Sequence, residues 1–321
     1  MNRFSAVPPP VTAVLDASSR WLPARLGEVE DQLREAVGNR SEPLGEDAAS
    51  TLAAGGKRLR PMLVLLCAGQ SAAAAAVRAA TAIELIHMAT LVHDDVLDEA
   101  PLRRGLPTVA ATSGRDRAVA TGDLLFSRAF ALLADAGDAG AVALLAEAAV
   151  ALARGELAQR HDAFDLAVSE ERYLERCRLK TAKLFECACR LGYDDAELGA
   201  FGSEVGLAFQ LLDDVLDVAG PPERTGKARG TDLLDGTVTL PLIEAAAADP
   251  GILEVDLHGL DAGEAEALCD RIAATGALEQ VRLRALEMVA SAKRRLDGAS
   301  FAPEQRQLLN LVADGVVQRY S

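Results

Sequence analysis

The chain has 321 residues, of which 50% are hydrophobic and 4% aromatic, with five cysteines and a formal net charge of −15. That charge opposes nonspecific binding to nucleic acid or anionic lipid, and it makes any local cluster of cations conspicuous. An odd cysteine count without regular spacing argues against a disulfide framework, no Cys/His set has zinc spacing, and the pattern points to a reduced, cytoplasmic protein.

Abundant alanine and few aromatics favour close-packed helices over sheets. Residues 1–17 contain Pro8-Pro9-Pro10 and little pattern, so they read as a mobile N-terminal arm without the basic and apolar regions of a signal peptide. One large domain is expected over residues 18–321. Trp21, Leu22, Leu26, Val29, Leu33 and Val37 recur at helical spacing and predict a helix over 18–37. A short helix follows over 43–54, stopped by Gly55-Gly56, and another over 59–67. A long helix is expected over 71–98, with Pro101 beyond its end. No segment is expected to supply the roughly 20 apolar residues that span a bilayer.

Helices are then predicted over 114–136 and 139–161, separated by Gly137. Ser169, Glu171 and Arg172 resemble a helix start, and that helix runs to about 191. The next, over 195–218, ends at Gly220-Pro221-Pro222. Residues 220–238, with four glycines, are the longest loop-like stretch. Helices over 239–248, 262–274, 278–296 and 303–320 complete an all-α pattern with no strand alternation.

Two of these helices end in the same chemistry. Asp94-Asp95-Val96-Leu97-Asp98 and Asp213-Asp214-Val215-Leu216-Asp217 both read DDxxD. Residues four apart share a helix face, so Asp94 pairs with Asp98 and Asp213 with Asp217, while Asp95 and Asp214 sit about 100° round. Clustered carboxylates repel, and a hard cation removes that penalty. Mg²⁺ takes few carboxylates and fills its other positions with water and substrate phosphate. Two such clusters facing each other would grip a diphosphate.

Cations accompany them. Gly56-Lys57-Arg58-Leu59-Arg60-Pro61 puts three at a predicted helix start, where anions are favoured. His87 lies two turns before Asp94 on the same face, and Arg103-Arg104-Gly105 follows the first triad. Lys180-Thr181 sits mid-helix, and Lys227 lies in the glycine-rich loop. Each cluster alone reads as an ordinary solvated patch. Together, in an acidic chain, they ask for polyanionic substrates and a divalent metal.

These motifs, with Glu84-Leu85-Ile86-His87, Phe209-Gln210-Leu211-Leu212 and Thr239-Leu240-Pro241-Leu242, resemble those of the trans-isoprenyl diphosphate synthases, or polyprenyl synthetases, over about residues 18–320. The resemblance implies an all-α isoprenoid-synthase bundle with a central active-site cavity, usually a homodimer. It implies Mg²⁺-dependent head-to-tail condensation of isopentenyl diphosphate with an allylic diphosphate. Carried over by position, Asp94, Asp95, Asp98 and Asp213 resemble the metal ligands. Asp214, Asp217 and Lys180 complete the catalytic set. Arg103, Lys180, Thr181, Gln210 and Lys227 resemble the allylic-side contacts, and Lys57, Arg60, His87 and Arg104 those of isopentenyl diphosphate. One position departs: Thr237 stands where the family loop usually has a second lysine, so weaker allylic affinity is expected.

Short-chain members resemble one another in placing aromatics four or five residues before the first Asp. Ala89 and Thr90 are small here, which implies an open channel and a product of geranylgeranyl length or longer, with heptaprenyl to decaprenyl favoured. Phe126, Phe130 and Leu133 are candidates for its floor. A class I terpene cyclase should lack the basic isopentenyl site and carry an Asn/Ser/Glu second motif. A non-catalytic subunit of a two-component synthase should have eroded triads.

Overall fold

The computed structural model describes residues 9–38, 42–70, 73–220, 229–297 and 302–318. In chain order the helices are α1 (Pro9–Ala17), α2 (Leu22–Ala36), α3 (Pro43–Ala53), α4 (Leu59–Ala68), α5 (Ala73–Leu97), α6 (Val109–Ser113), α7 (Arg115–Ala134) and α8 (Ala139–His161). Then come α9 (Glu170–Cys177), a π-helical turn (Arg178–Ala182), α10 (Lys183–Gly192), α11 (Ala196–Ala219) and α12 (Thr231–Leu234). Helices α13 (Leu240–Ala248), α14 (Ala262–Ala274), α15 (Ala277–Arg295) and α16 (Pro303–Gln318) close the sequence. The all-α class is as expected.

Three local features differ from the sequence reading. The arm is helical from Pro9, and Val14 in α1 is fully buried. A two-stranded hairpin pairs Leu102 with Pro107 and Arg103 with Leu106. Its turn residues Arg104 and Gly105 have φ of 54° and 76°, the double left-handed conformation that matches the twist of paired strands. With two residues per strand, it is too short to leave an alternating pattern. Finally, the helix expected over 169–191 is interrupted by the π turn. Its start is as read: Ser169 accepts from Arg172 N and satisfies one of the orphan amides of the first turn.

The described residues fall into two compact units. The first draws on residues 1–149, 187–199 and 300–312, the second on 150–186, 200–299 and 313–321. In the first, α5 packs against α2, α4 and α7. Ile83, Leu85, Ile86, Met88, Ala89 and Val92 are all buried, so apolar residues cover this helix on every side. That is the signature of a core helix, each such side chain contributing about 1.5–3 kcal/mol. By length and composition α5 could cross a membrane, which the sequence reading did not anticipate, but 72% of its apolar window is buried within the protein. Its last turn opens to solvent, and there the first acidic motif begins. In the second unit α13 packs against α9, α14 and α15. A reciprocal capping box between Asp261 and Glu264 starts α14. All five cysteines are free and buried.

Candidate active site

The first unit holds the first acidic motif and most of the basic residues. Asp94 is half-buried and Asp98 exposed at the end of α5, and Asp98 N donates to Asp94 O at 2.8 Å. Asp95 turns the other way. It is buried, and Arg103 Nε donates to its Oδ1 at 2.6 Å. The triad therefore divides into an outward pair and an inward anchor for the hairpin.

The basic turn divides in the same manner. Arg58 has a left-handed φ of 50° and pairs with Glu30 at 2.5 Å and Glu84 at 2.8 Å. Its charge is spent within the fold, and its strain of about 1–3 kcal/mol is offset by those pairs. Lys57 is left exposed beside it. Arg60 is held down to about 10 by burial and by Arg104 nearby. Arg104 NH1 donates to Gly55 O, tying the hairpin to this turn. Three of the four non-glycine residues with positive φ among the described residues, Arg58, Glu99 and Arg104, flank these motifs.

His87 sits among these cations. Burial, then Arg60, Arg104, Arg103 and Arg58, hold its imidazole well below the usual histidine range, so it is neutral. With Arg58, Glu84, Asp95, Arg103 and Arg104 it lines a cavity of about 330 Å³, closed by Met88, Leu91 and Leu106. A neutral ring still donates one hydrogen bond, and a poor base does not strip a proton from its surroundings.

Between His87 and Asp94 on α5, Ala89 is fully buried and Thr90 half-buried, its hydroxyl donating to His87 O at 2.8 Å. On α7, Phe126 stacks on His93 with ring centroids 5.8 Å apart, Phe130 is half-buried and Leu133 buried.

The second unit carries the other motifs. Lys180 and Thr181 lie in the π turn. Two glycines let neighbouring helices approach its backbone: a Cβ at Gly155 of α8 would lie 2.6 Å from Lys180 N, and one at Gly206 of α11 2.9 Å from Ala182 Cα. Lys180 Nζ pairs with Glu156. Thr181 Oγ1 donates to Gln210 Oε1 at 2.7 Å, and Gln210 Nε2 to Asp214 Oδ1 at 2.8 Å.

The second triad is dispersed as the first is. Asp213 is exposed and Asp214 buried. Burial lifts Asp214 to about 7 against the opposing hydrogen bonds from Tyr173 and Gln210. Asp217 Oδ2 accepts from Asp232 N at 3.2 Å and its carbonyl from Gly230 N at 3.0 Å, so it anchors the loop that follows. Thr237 in that loop is half-buried, its amide donating to Asp232 O at 2.7 Å. Lys227 lies outside the described residues.

Sequence reasoning missed Glu156 and Tyr173. The second left a signal: Tyr173 precedes Lys180 by seven residues, two turns along one face. Among the described residues no three His, Cys, Asp or Glu side chains form a ready metal cage. The donor set nonetheless suits Mg²⁺. Asp94 and Asp98 offer oxygens alone, on one face and open to solvent, and Mg²⁺ characteristically combines one or two carboxylates with water and phosphate.

The chain is similar to known proteins along most of its length. A family model for polyprenyl synthetase matches residues 42–267. A Geobacillus stearothermophilus protein named heptaprenyl diphosphate synthase component 2 is 40% identical over 296 residues, covering 88% of this chain and 92% of that one. The structure of a polyprenyl synthase from Caulobacter crescentus CB15, complexed with calcium and isoprenyl diphosphate, has a TM-score of 0.90 at 32% identity, covering 97% of this chain and 98% of that one. A decaprenyl diphosphate synthase from Rhodobacter capsulatus has a TM-score of 0.86 at 33% identity, covering 97% and 99%.

Proposed function

The chain belongs to the polyprenyl synthetase family of prenyl chain-elongating enzymes, and on that premise we propose that it condenses isopentenyl diphosphate head to tail with an allylic diphosphate such as farnesyl or geranylgeranyl diphosphate. The product is a longer all-trans polyprenyl diphosphate, and inorganic diphosphate is released. The observation that carries this reading is the cavity lined by His87, Arg58, Arg103 and Arg104, which lies beside an outward carboxylate pair, Asp94 and Asp98.

Asp94, Asp98 and Asp213 are assigned to Mg²⁺, which when bound neutralises charge on the departing diphosphate, while Asp95, also expected among the ligands, is left out because its buried carboxylate faces Arg103. Asp95 supports them by holding Arg103 toward the allylic diphosphate. Lys57, Arg60, His87 and Arg104 take isopentenyl diphosphate. Lys180, Thr181 and Gln210 take the allylic side, with Lys227. Prepositioned cations favour breakage of the allylic C–O bond, and apolar walls keep water from the carbocation. The isopentenyl double bond then attacks, and the new cation loses a proton. His87, neutral and with depressed basicity, is a poor acceptor for it, so the released diphosphate is assigned that role.

Small Ala89 and Thr90 leave the channel open, and the similarity to proteins named heptaprenyl and decaprenyl synthases supports a long product. A geranylgeranyl product is the alternative if Phe126 or Phe130 forms a high floor. Residues 18–321 act as one catalytic domain, in a homodimer as the resemblance implies, and the five free cysteines support a cytoplasmic setting. One observation favours a second reading: the relative at 40% identity is named as component 2. On that reading the chain works only with a partner subunit. The experiment is diphosphate release by the purified protein alone. Release requiring both substrates and Mg²⁺ supports the first reading, and none under any primer overturns it.

A further inference from the structure

The proposed reaction has no role for a buried phenol, yet Tyr173 is 1% exposed and its hydroxyl donates to Asp214 Oδ2 at 2.5 Å. The other oxygen of Asp214 accepts from Gln210 Nε2 at 2.8 Å, and Gln210 Oε1 accepts from Thr181 Oγ1 at 2.7 Å. All four residues belong to the second unit.

This series has a direction. Tyr173 donates to one oxygen of Asp214 and Gln210 Nε2 to the other, which leaves Gln210 Oε1 to accept from Thr181 Oγ1, so each donor along the series meets an acceptor. Thr181 has one hydroxyl proton, and Gln210 takes it. The lone pairs of Thr181 Oγ1 are thereby aimed away from Gln210. The series starts at Tyr173, whose O–H satisfies the Asp214 oxygen that Gln210 does not reach. Asp214 is 3% exposed, so water cannot supply that hydrogen bond freely.

We infer that Tyr173 is a positioning residue, which acts through Asp214 and Gln210 to fix the orientation of the Thr181 hydroxyl. The inference rests on the reading in which Thr181 and Gln210 face the allylic substrate. Tyr173 itself touches no substrate in that reading. Without the phenol O–H, Asp214 carries a buried oxygen short of a donor and turns toward another one. Gln210 then loses its fixed neighbour, and the Thr181 hydroxyl is free to rotate.

The test is a double-mutant cycle with Tyr173→Phe, Thr181→Val and the pair, reading kcat, both KM values and melting temperature. Tyr173→Phe keeps the ring and should lower kcat about tenfold, the effect of one misdirected hydrogen bond. The KM for isopentenyl diphosphate should stay at the wild-type value. The double variant should lose no more rate than Thr181→Val alone. Multiplying losses, or an unchanged kcat for Tyr173→Phe, would overturn the inference. Asp214→Asn, which lets the amide series reverse, should show the same non-additivity with Thr181→Val and serves if the phenylalanine variant does not fold. An inactive wild type would overturn the functional reading instead. The crystal structure of Tyr173→Phe then decides: a changed rotamer of the Asp214, Gln210 or Thr181 side chain supports the inference, and unchanged rotamers of all three overturn it.

Discussion

Replacing Gly155 by alanine asks whether the position of the π turn governs turnover. The added methyl would lie 2.6 Å from Lys180 N and 2.9 Å from Lys180 Cα, both backbone atoms. Ordinary contact begins near 3.4 Å, so the Lys180 backbone must retreat by close to 0.8 Å, the difference between 3.4 and 2.6 Å. Two stability effects oppose each other. Alanine in a helix interior gains about 1 kcal/mol over glycine. Overpacking costs about 1–3 kcal/mol. The net loss is roughly 0–2 kcal/mol, which for a chain of this size lowers the melting temperature by at most about 5 °C. The rate should suffer far more, because a displacement near 1 Å in a positioning group can cost about 100-fold. Steady-state kinetics with an allylic diphosphate and a thermal melt on the same preparation separate the two. Gly27→Ala is the control: in α2, with nothing within 4 Å of the new methyl, it should gain up to about 1 kcal/mol and keep its rate. A Gly155→Ala enzyme that turns over at the wild-type rate would refute the link between the π turn and the reaction.

Ala89→Phe should shorten the product. Because Ala89 is fully buried, Thr90→Phe at the half-buried neighbouring position is the companion, and an unchanged product spectrum from both would show that the prenyl tail does not pass this turn of α5. Thr237→Lys should lower the allylic KM several-fold, and an unchanged KM would show that the loop does not need a second lysine. The neutral state of His87 makes stability depend on pH. Its folded pKa lies below the ordinary 6.5, so below about pH 6.5 the unfolded chain binds more protons and stability falls. Asp214, raised to about 7, acts oppositely, since the folded chain holds its proton over the range from about 4 to 7. Comparing His87→Gln with wild type cancels the Asp214 contribution. The variant should lose less stability between pH 7.5 and 5.5 in urea titrations, and equal losses would refute the buried neutral imidazole.

The helices and both acidic motifs are legible in the sequence because apolar periodicity and paired carboxylates are local signals. The continuous apolar run of α5 and its acidic end place the first motif without any structure. What stays hidden is mostly non-local. Tyr173 and Asp214 are 41 residues apart, and Lys180 meets Glu156 from α8. The π turn adds one residue to a helical turn, which leaves the apolar pattern nearly intact. The division of each triad is half-visible. Helical geometry puts Asp95 and Asp214 round the side, but only packing against Arg103 and Tyr173 turns them inward. The same limit applies to Arg58, whose neighbours in sequence are Lys57 and Arg60 but whose charge is met by Glu30 and Glu84.

Whether the chain elongates prenyl diphosphates without a partner subunit is read from its products. Purified protein would be given Mg²⁺, labelled isopentenyl diphosphate and farnesyl diphosphate, and the products resolved by chain length. A ladder that ends beyond the geranylgeranyl length is the expected result. Absence of any elongated product, with farnesyl or shorter primers, would contradict it.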